Sequence, residues 1–271
     1  MKLRDLRVGA RLHVTEAGDV FLLADLNHKD YPGAVLVADE PVANMCFDSV
    51  EPDNPLENRS KNGSNNYALS NIHQWLNAEG TGWYRPTSET DRPPENFIDP
   101  MMPPEFRSRL PECVTEETPG FLSRIPAEVR ALMKTVRVSY VLQTAEGQGS
   151  PAEVEALAFV PSQTELGHFL DIEYPDGTCF KLMEDPRMKL CRGGYWTRTP
   201  GFPDGDDVIL PWHMRAEKTS GVARTMEGML YKFYGNKSCC SVTGVRPAIV
   251  LDPETEVQPQ EDGSYVIGLR A

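Results

Sequence analysis

The chain has 271 residues, enough to bury a large core. Its 40% hydrophobic and 25% charged residues are typical of a globular protein, while its 21 glycines and 23 prolines favour many short elements joined by loops. The formal charge of −13 excludes nucleic acid and anionic lipid as electrostatic partners, because an acidic surface repels their phosphates.

Short apolar runs, split by glycine, aspartate and proline, predict β-strands along the chain. In chain order these runs are Val8–Val14, Val20–Ala24, Ala34–Ala38, Val136–Leu142, Ala156–Val160, Val208–Leu210, Met229–Tyr231 and Tyr265–Ile267. Two further runs, Tyr195–Pro200 and Gly244–Pro253, each set one arginine among aromatic or apolar residues and end at a proline. That pairing predicts two neighbouring strands.

Three helical segments are expected between residues 69 and 136. The first is predicted from an apolar stripe at helical spacing that consists of Leu69, Ile72 and Leu76, with Trp75 beside it. Ser70 or Asn71 is its expected N-cap. The other two are expected near Pro104–Leu110 and at Pro126–Val136, the latter with proline in its first turn. Further along, Ser162 and Glu165 have the S-x-x-E spacing of a capping box, which predicts that a strand ends and a helix begins there.

The chain shows no internal repeat and no low-complexity linker. We therefore expect one domain over residues 1–271, with a loop-rich insertion at about residues 80–125. Met1–Arg7 is positively charged but leads into no apolar run, and no hydrophobic run reaches the length of a membrane-spanning helix. These features predict cytoplasmic synthesis, no signal peptide and no membrane insertion.

Cysteine and histidine patterns give little support to a metal or redox site. The six cysteines show no C-x-x-C spacing, so buried reduced thiols are expected at Cys46, Cys113, Cys179, Cys191, Cys239 and Cys240. The five histidines are scattered, and P-loops, nucleophile elbows and dinucleotide fingerprints are absent. No organic cofactor is expected.

Calcium is the one cofactor that the sequence leaves open. Asp204, Asp206 and Asp207 cluster in a turn rich in glycine and proline, and carboxylate oxygens are the ligands that calcium prefers. A complete site needs about six to eight oxygens. A solvated acidic loop is therefore the alternative interpretation.

Aromatic, basic and amide residues between the two arginine runs form a candidate ligand-binding face. They are Trp212, Arg215, Tyr231, Tyr234 and Asn236. Such residues give a large contact area at modest entropic cost, so they are common in binding surfaces. The alternative is that the aromatic residues alternate into the core.

Four motifs occur in one order along the chain. They are Tyr67–Asn77, Phe159–Glu165 with its Pro-Ser-x-x-Glu, Tyr195–Pro200 as Y-W-T-R-T-P, and Gly244–Ala248 as G-V-R-P-A. In this order they resemble a bacterial and phage-encoded family of unknown function. One departure is Val160, where the family pattern has leucine.

This resemblance implies a relative of the C-type-lectin-like fold, which includes formylglycine-generating enzymes and the variable proteins of diversity-generating retroelements. The implied fold class is α+β, with two or three helices packed against short, twisted antiparallel sheets and with long loops. The motif residues are interpreted as a structural signature: Trp75, Trp196, Arg198, Gly244 and Arg246. Both arginines need partners, either an internal carboxylate or carbonyl groups.

The resemblance favours a non-enzymatic ligand-binding or display domain for a protein or glycan. It leaves open whether the domain is part of a phage particle. One alternative is a diverged formylglycine-generating-type enzyme with a cysteine or metal site. Those enzymes use a cysteine pair, and Cys239–Cys240 lacks a second cysteine at short spacing upstream. Another alternative is a structural accessory domain. The sequence leaves the oligomeric state undetermined.

Overall fold

The structure is a computed structural model that describes residues 1–94, 113–144, 147–167, 176–189, 195–200, 213–214, 223–226, 229–232, 237–240 and 242–268. For the strands between 213 and 238 only the backbone is described. The described chain combines a few short helices with several small sheets, in agreement with the α+β class.

The strands are β1 (Arg11–His13), β2 (Val20–Asp25), β3 (Ala34–Ala38), β4 (Ala43–Cys46), β5 (Val136–Thr144), β6 (Gly147–Ala156), β7 (Ala158–Phe159), β8 (His213–Met214), β9 (Ala223–Met226), β10 (Met229–Lys232), β11 (Lys237–Ser238), β12 (Val242–Val245), β13 (Ala248–Leu251), β14 (Val257–Pro259) and β15 (Tyr265–Ile267). The α-helices are α1 (Glu57–Asn62), α2 (Asn71–Leu76) and α3 (Ala127–Arg130). Short 3-10 helices span Leu3–Asp5, Tyr67–Leu69, Phe121–Arg124, Lys181–Glu184 and Pro186–Lys189.

A seven-stranded sheet joins the two ends of the described chain. Its order is β14-β15-β1-β2-β3-β13-β7, and every neighbouring pair is antiparallel except β1 with β15. Strand β3 lies inside the sheet between β2 and β13, and all five of its residues are buried, so both of its faces are covered. The predicted strands β2 and β3 therefore form the centre of the core.

The remaining strands form four two-stranded units. These are β4 with β12, the hairpin of β5 and β6, β8 with β11, and β9 with β10. The two arginine runs do meet, since Tyr195 bridges Gly244 in parallel and the Trp196 amide donates to the Gly244 carbonyl at 2.8 Å. They are not two simple strands, however. The second run is split between β12 and β13 at Arg246–Pro247, and the first forms a single bridge.

Helix α2 begins where the sequence predicts. Ser70 is its N-cap, and its hydroxyl accepts the His73 amide at 3.2 Å. Ile72, Trp75 and Leu76 are fully buried. The prediction for Leu69 was wrong, because this residue ends the preceding 3-10 helix and is 40% exposed.

Two other helix predictions need correction. The helix expected over Pro126–Val136 stops at Arg130, because the Lys134 amide bonds to Val250 and the chain enters β5 at Val136. Ser162 and Glu165 make the reciprocal bonds of a capping box, at 3.1 Å and 3.0 Å, but they close a turn and not a helix. The expected helix at 104–110 and strand at 208–210 lie outside the described residues.

Among the residues that the structure describes, no helix is both long enough and apolar enough to cross a bilayer.

Candidate functional site

Arg198 lies at the centre of a closed polar cluster. Its side chain has 0% exposure and forms a two-pronged ion pair with Glu165, with Nη1–Oε2 at 2.7 Å and Nη2–Oε1 at 2.6 Å. The remaining N–H groups donate to the carbonyl oxygens of Ser139, Val160 and Asp176. All five donors of the guanidinium are therefore engaged.

Tyr31 also belongs to this cluster. Its hydroxyl donates to Glu165 Oε1 and accepts from Arg198 Nη2 at 3.3 Å. Burial raises the pKa of Tyr31 well above its ordinary value, so the hydroxyl keeps its proton. His28 stacks on the Tyr31 ring with the ring centres 4.9 Å apart. The cluster shows the bonding expected of a structural element, because its charged and polar groups bond to one another inside the core.

Thr199, the residue after Arg198, holds the start of the long segment between the two arginine runs against the scaffold. The Thr199 hydroxyl donates to the Asp176 carboxylate and accepts the Gln163 amide at 2.8 Å. Asp176 also accepts from the Thr164 hydroxyl at 3.0 Å. Thr199 and Asp176 are both about 1% exposed, so the segment leaves the scaffold from a buried anchor.

The other end of that segment is anchored beside β4. The Asp48 amide donates to the Cys239 carbonyl at 3.1 Å, and the Cys240 amide donates to the Asn62 carbonyl at 3.1 Å. The Asp48 carboxylate accepts the amides of Ser64 and Asn71. Both cysteines are buried, so this anchor is also closed to solvent.

A cysteine distant in sequence joins this second anchor. Cys46 lies on β4 opposite Val242, with its sulfur near Ser49 and Asn71. Burial, together with the nearby Asp48 carboxyl, raises the pKa of the Cys239 thiol well above its ordinary value. Cys46 and Cys239 are in the thiol form, and a raised pKa disfavours the reactive thiolate.

The other signature residues lie around these anchors. Trp196 is buried and donates its indole N–H to the Met45 carbonyl at 2.8 Å, and Trp75 donates to Pro119 at 3.0 Å. Gly244 lies in β12 and does not have a positive φ. The Gly244 carbonyl accepts the Trp196 amide, so Gly244 lies where the two arginine runs meet. Arg246 is fully buried next to Tyr195.

The predicted binding and calcium residues fall in the segment between the anchors. Trp212, Arg215, Tyr234, Asn236, Asp204, Asp206 and Asp207 lie outside the described residues, and of Tyr231 only the backbone is described, in β10 opposite Arg224. In the described part of the chain, no group of three or more His, Cys, Asp or Glu side chains could hold a metal ion.

Residues 32–253 match the model of a family described as a domain of unknown function (DUF6273). The chain belongs to this family. The DUF6273 match begins just before β3 and ends just after β13, so β1, β2, β14 and β15 lie outside it. The comparisons with curated proteins and with solved structures found no match.

Sequence reasoning missed the partners in these clusters. The motifs predicted that Arg198 needs an acceptor, but Glu165 was interpreted as a cap, and its spacing to Ser162 carries no sign of the arginine. Tyr31 and Asp176 stand 167 and 22 residues from Arg198, so no local pattern connects them. The same holds for Cys46 and Cys239, which only the pairing of β4 with β12 brings together.

Proposed function

We propose that this DUF6273 chain is a non-enzymatic ligand-binding or display domain with a C-type-lectin-like fold, and that its target is a protein or a glycan. The observation that carries the proposal is the anchoring of the 38-residue segment 201–238 at both ends in the buried scaffold, through Thr199 and through Cys239–Cys240. Rigid scaffolds that hold variable loops are a common basis for binding.

The composition of the segment supports a contact role. It has five acidic and five basic residues, so it is neutral within a chain of charge −13. From His213 to Ser238 the balance is five basic to two acidic residues, and the same stretch contains Tyr231 and Tyr234. An approaching anionic protein or glycan would meet less repulsion here than on the chain as a whole.

The buried clusters support a binding domain over an enzyme. A general acid or base must reach the proton that it transfers, and a nucleophilic cysteine needs a lowered pKa. Glu165 and Tyr31 are bonded to Arg198 inside the core, and the pKa of Cys239 is raised. A diverged formylglycine-generating-type enzyme and a structural accessory domain remain the alternatives, and copper or iron bound stoichiometrically by the purified protein would favour the enzyme.

The test is a screen of the purified chain on arrays of glycans and host-surface proteins, with calcium and with chelator. A binder found there is then measured against the double variant Tyr231→Ala/Tyr234→Ala and against Arg215→Ala. We expect each to weaken binding at least tenfold with an unchanged melting temperature, because contact residues contribute to affinity and not to the core. Arg137→Ala is the matched control, since Arg137 is exposed on β5.

Three outcomes refine or contradict the proposal. Binding that requires calcium and is lost in Asp204→Asn, Asp206→Asn or Asp207→Asn makes these residues calcium ligands. Loss of thermal stability in the tyrosine variant shows that Tyr231 and Tyr234 pack in the core and contradicts the assigned face. A blank array contradicts the proposed binding function and shifts the interpretation to a structural role or to the diverged enzyme.

A further inference from the structure

The hairpin of β5 and β6 has one covered edge and one open edge. In the described chain its two strands pair only with each other. The Ser139 carbonyl of β5 points away from β6, because it accepts the Arg198 Nε at 2.6 Å. The outer edge of β5 is therefore covered by the buried Arg198, whereas the outer edge of β6 meets no described strand.

The direction of the Ser139 carbonyl also fixes which backbone groups of β6 face outward. Facing residues of an antiparallel pair alternate between pairs that exchange hydrogen bonds and pairs that do not. Ser139 faces Glu153 and Arg137 faces Glu155, so both pairs are of the second kind. The N–H and C=O groups of Glu153 and Glu155 therefore point to the open edge, and no described backbone group outside the hairpin bonds to them.

The open row of backbone groups is short and has a defined end on each side. Pro151 faces outward with the same period and has no N–H, so it offers only its carbonyl. At the other end the Leu157 amide donates to the Asn77 Oδ1 at 2.7 Å, so that outward donor is satisfied. Between these ends, Glu153 and Glu155 each offer one donor and one acceptor. The edge can accept one added strand of about five residues.

The side chains of β6 define the chemistry of such a strand. Glu153 and Glu155 are exposed, and among the described residues neither forms an ion pair or a side-chain hydrogen bond. Ala152 and Val154 point to the opposite face, where they are half-buried and pack against the core. A strand that alternates basic with apolar residues matches both faces, because opposite charges that face each other across two strands attract. The formal charge of −13 also favours a basic partner.

A second copy of this chain fits the edge poorly. Pairing of β6 with β6 of another copy would bring two pairs of glutamates together, and like charges across strands are destabilising. We propose that the outer edge of β6, from Pro151 to Glu155, binds an extended segment of a partner protein that carries Lys or Arg at alternate positions. This site is separate from the segment 201–238 and does not rest on its function.

The first test measures the edge in the full chain. Protein labelled with 15N is titrated with the peptide acetyl-Lys-Val-Lys-Val-Lys-amide at constant ionic strength. We expect saturable shifts of the Glu153 and Glu155 amide signals. Exchange of these amides with solvent should slow about tenfold at ten times the dissociation constant, because hydrogen bonds to the peptide protect them. The Ala152 and Val154 amides already bond to β5 and should change much less.

A modified peptide separates strand pairing from the attraction of charges alone. Methylation of the backbone nitrogens of its lysines keeps every positive charge but removes the N–H donors that would face the edge. We expect the methylated peptide to bind at least tenfold more weakly than the parent peptide. Equal binding of the two peptides would overturn the proposal, because it would show that no strand is added to β6.

Charge reversal tests the role of the two glutamates. Glu153→Lys/Glu155→Lys should weaken binding of the basic peptide at least tenfold and should bind acetyl-Glu-Val-Glu-Val-Glu-amide instead. The matched control is Glu116→Lys/Glu117→Lys, which makes the same change in net charge at two exposed glutamates of a different turn. The control should keep its preference for the basic peptide.

The remaining outcomes contradict the proposal or its occupant. The absence of saturable shifts at Glu153 and Glu155 overturns the site, as does an equal loss of binding in the two charge variants. Protection of these amides that rises with protein concentration, without peptide, assigns the edge to a second copy of this chain and overturns the basic partner. The titration of the parent chain decides the matter if the charge-reversed variant does not fold.

Discussion

Both side chains of the Arg198–Glu165 ion pair are 0% exposed. If one partner is removed, water therefore cannot solvate the charge of the other. Breaking such a pair from one side leaves an uncompensated charge in the core. We expect Glu165→Gln to lower the free energy of unfolding by about 3–5 kcal/mol, measured by urea denaturation. The matched control is Glu184→Gln, which breaks the exposed pair with Lys181 and should change stability little. Equal losses in the two variants would contradict the structural role of the buried pair.

His73 makes the stability of α2 depend on pH. Burial lowers the pKa of His73 to about 4, and its Nδ1 lies 3.3 Å from the Asn77 amide nitrogen. The unfolded chain binds this proton near pH 6.5, whereas the native protein binds it only near pH 4. The stabilising contribution is therefore complete above pH 6.5 and is lost as the pH falls to about 4.

The expected loss from this one residue is at most about 3 kcal/mol, because His73 is only partly shielded from solvent. The measurement compares the free energy of unfolding at pH 7 and pH 4.5 in the parent chain and in His73→Gln. The variant should lose less stability on acidification than the parent. Identical pH profiles would show that His73 does not titrate differently on folding.

The end of α1 is fixed by a glycine that no other residue can replace without strain. Gly63 is the C-cap, with φ 77° and ψ −169°, a region that is open essentially to glycine alone. A Cβ there would lie 2.6 Å from the carbonyl oxygens of Asp48 and Ser49. We expect Gly63→Ala to cost more than about 3 kcal/mol, because backbone strain and a backbone clash add.

Gly18→Ala is the control for this prediction. Gly18 has a positive φ of 85°, but a Cβ there meets nothing within 4 Å. Its substitution should cost about 1–2 kcal/mol, the strain of the left-handed conformation alone. Thermal or urea unfolding of the two variants gives the difference, and equal costs would show that the end of α1 moves away from Asp48 and Ser49 without penalty.

Elements with strong local signals could be predicted from the sequence. Strands β2 and β3 follow from apolar runs, and the N-terminus of α2 follows from Ser70, because these signals lie within a few residues of the element. The helix at Pro126 was predicted too long because a tertiary bond, from Lys134 to Val250, starts the next strand early. The choice of Glu165 as the partner of Arg198 depends on which loops converge, and local spacing does not contain that information.

The sheet extends beyond the part of the chain that the DUF6273 family model matches. Strands β1, β2, β14 and β15 lie outside residues 32–253, yet they supply four of the seven strands, and β2 pairs with β3. Phe21, Leu23 and Leu12 in these strands are fully buried. A fragment of residues 32–253 would therefore leave β3 with an unpaired edge and an exposed core face.

We expect this fragment not to unfold cooperatively, whereas a chain of residues 1–268 should unfold as the parent does. Circular dichroism during heating, with the dispersion of amide proton signals, distinguishes the two. A fragment of residues 32–253 that melts in one transition at the parent's temperature would show that the outer strands are an accessory and not part of the fold.

The order in which strands are synthesised differs from the order in which they pair. Strands β1, β2 and β3 come from residues 11–38, but their partners β15 and β13 come from residues 248–267. At about 5–20 residues per second, the ribosome would need on the order of 10–40 seconds to supply β13 after β3. During that time the growing chain holds an early three-stranded meander with both edges open, a state exposed to aggregation. This strand order therefore increases the need for chaperones that protect the growing chain from aggregation.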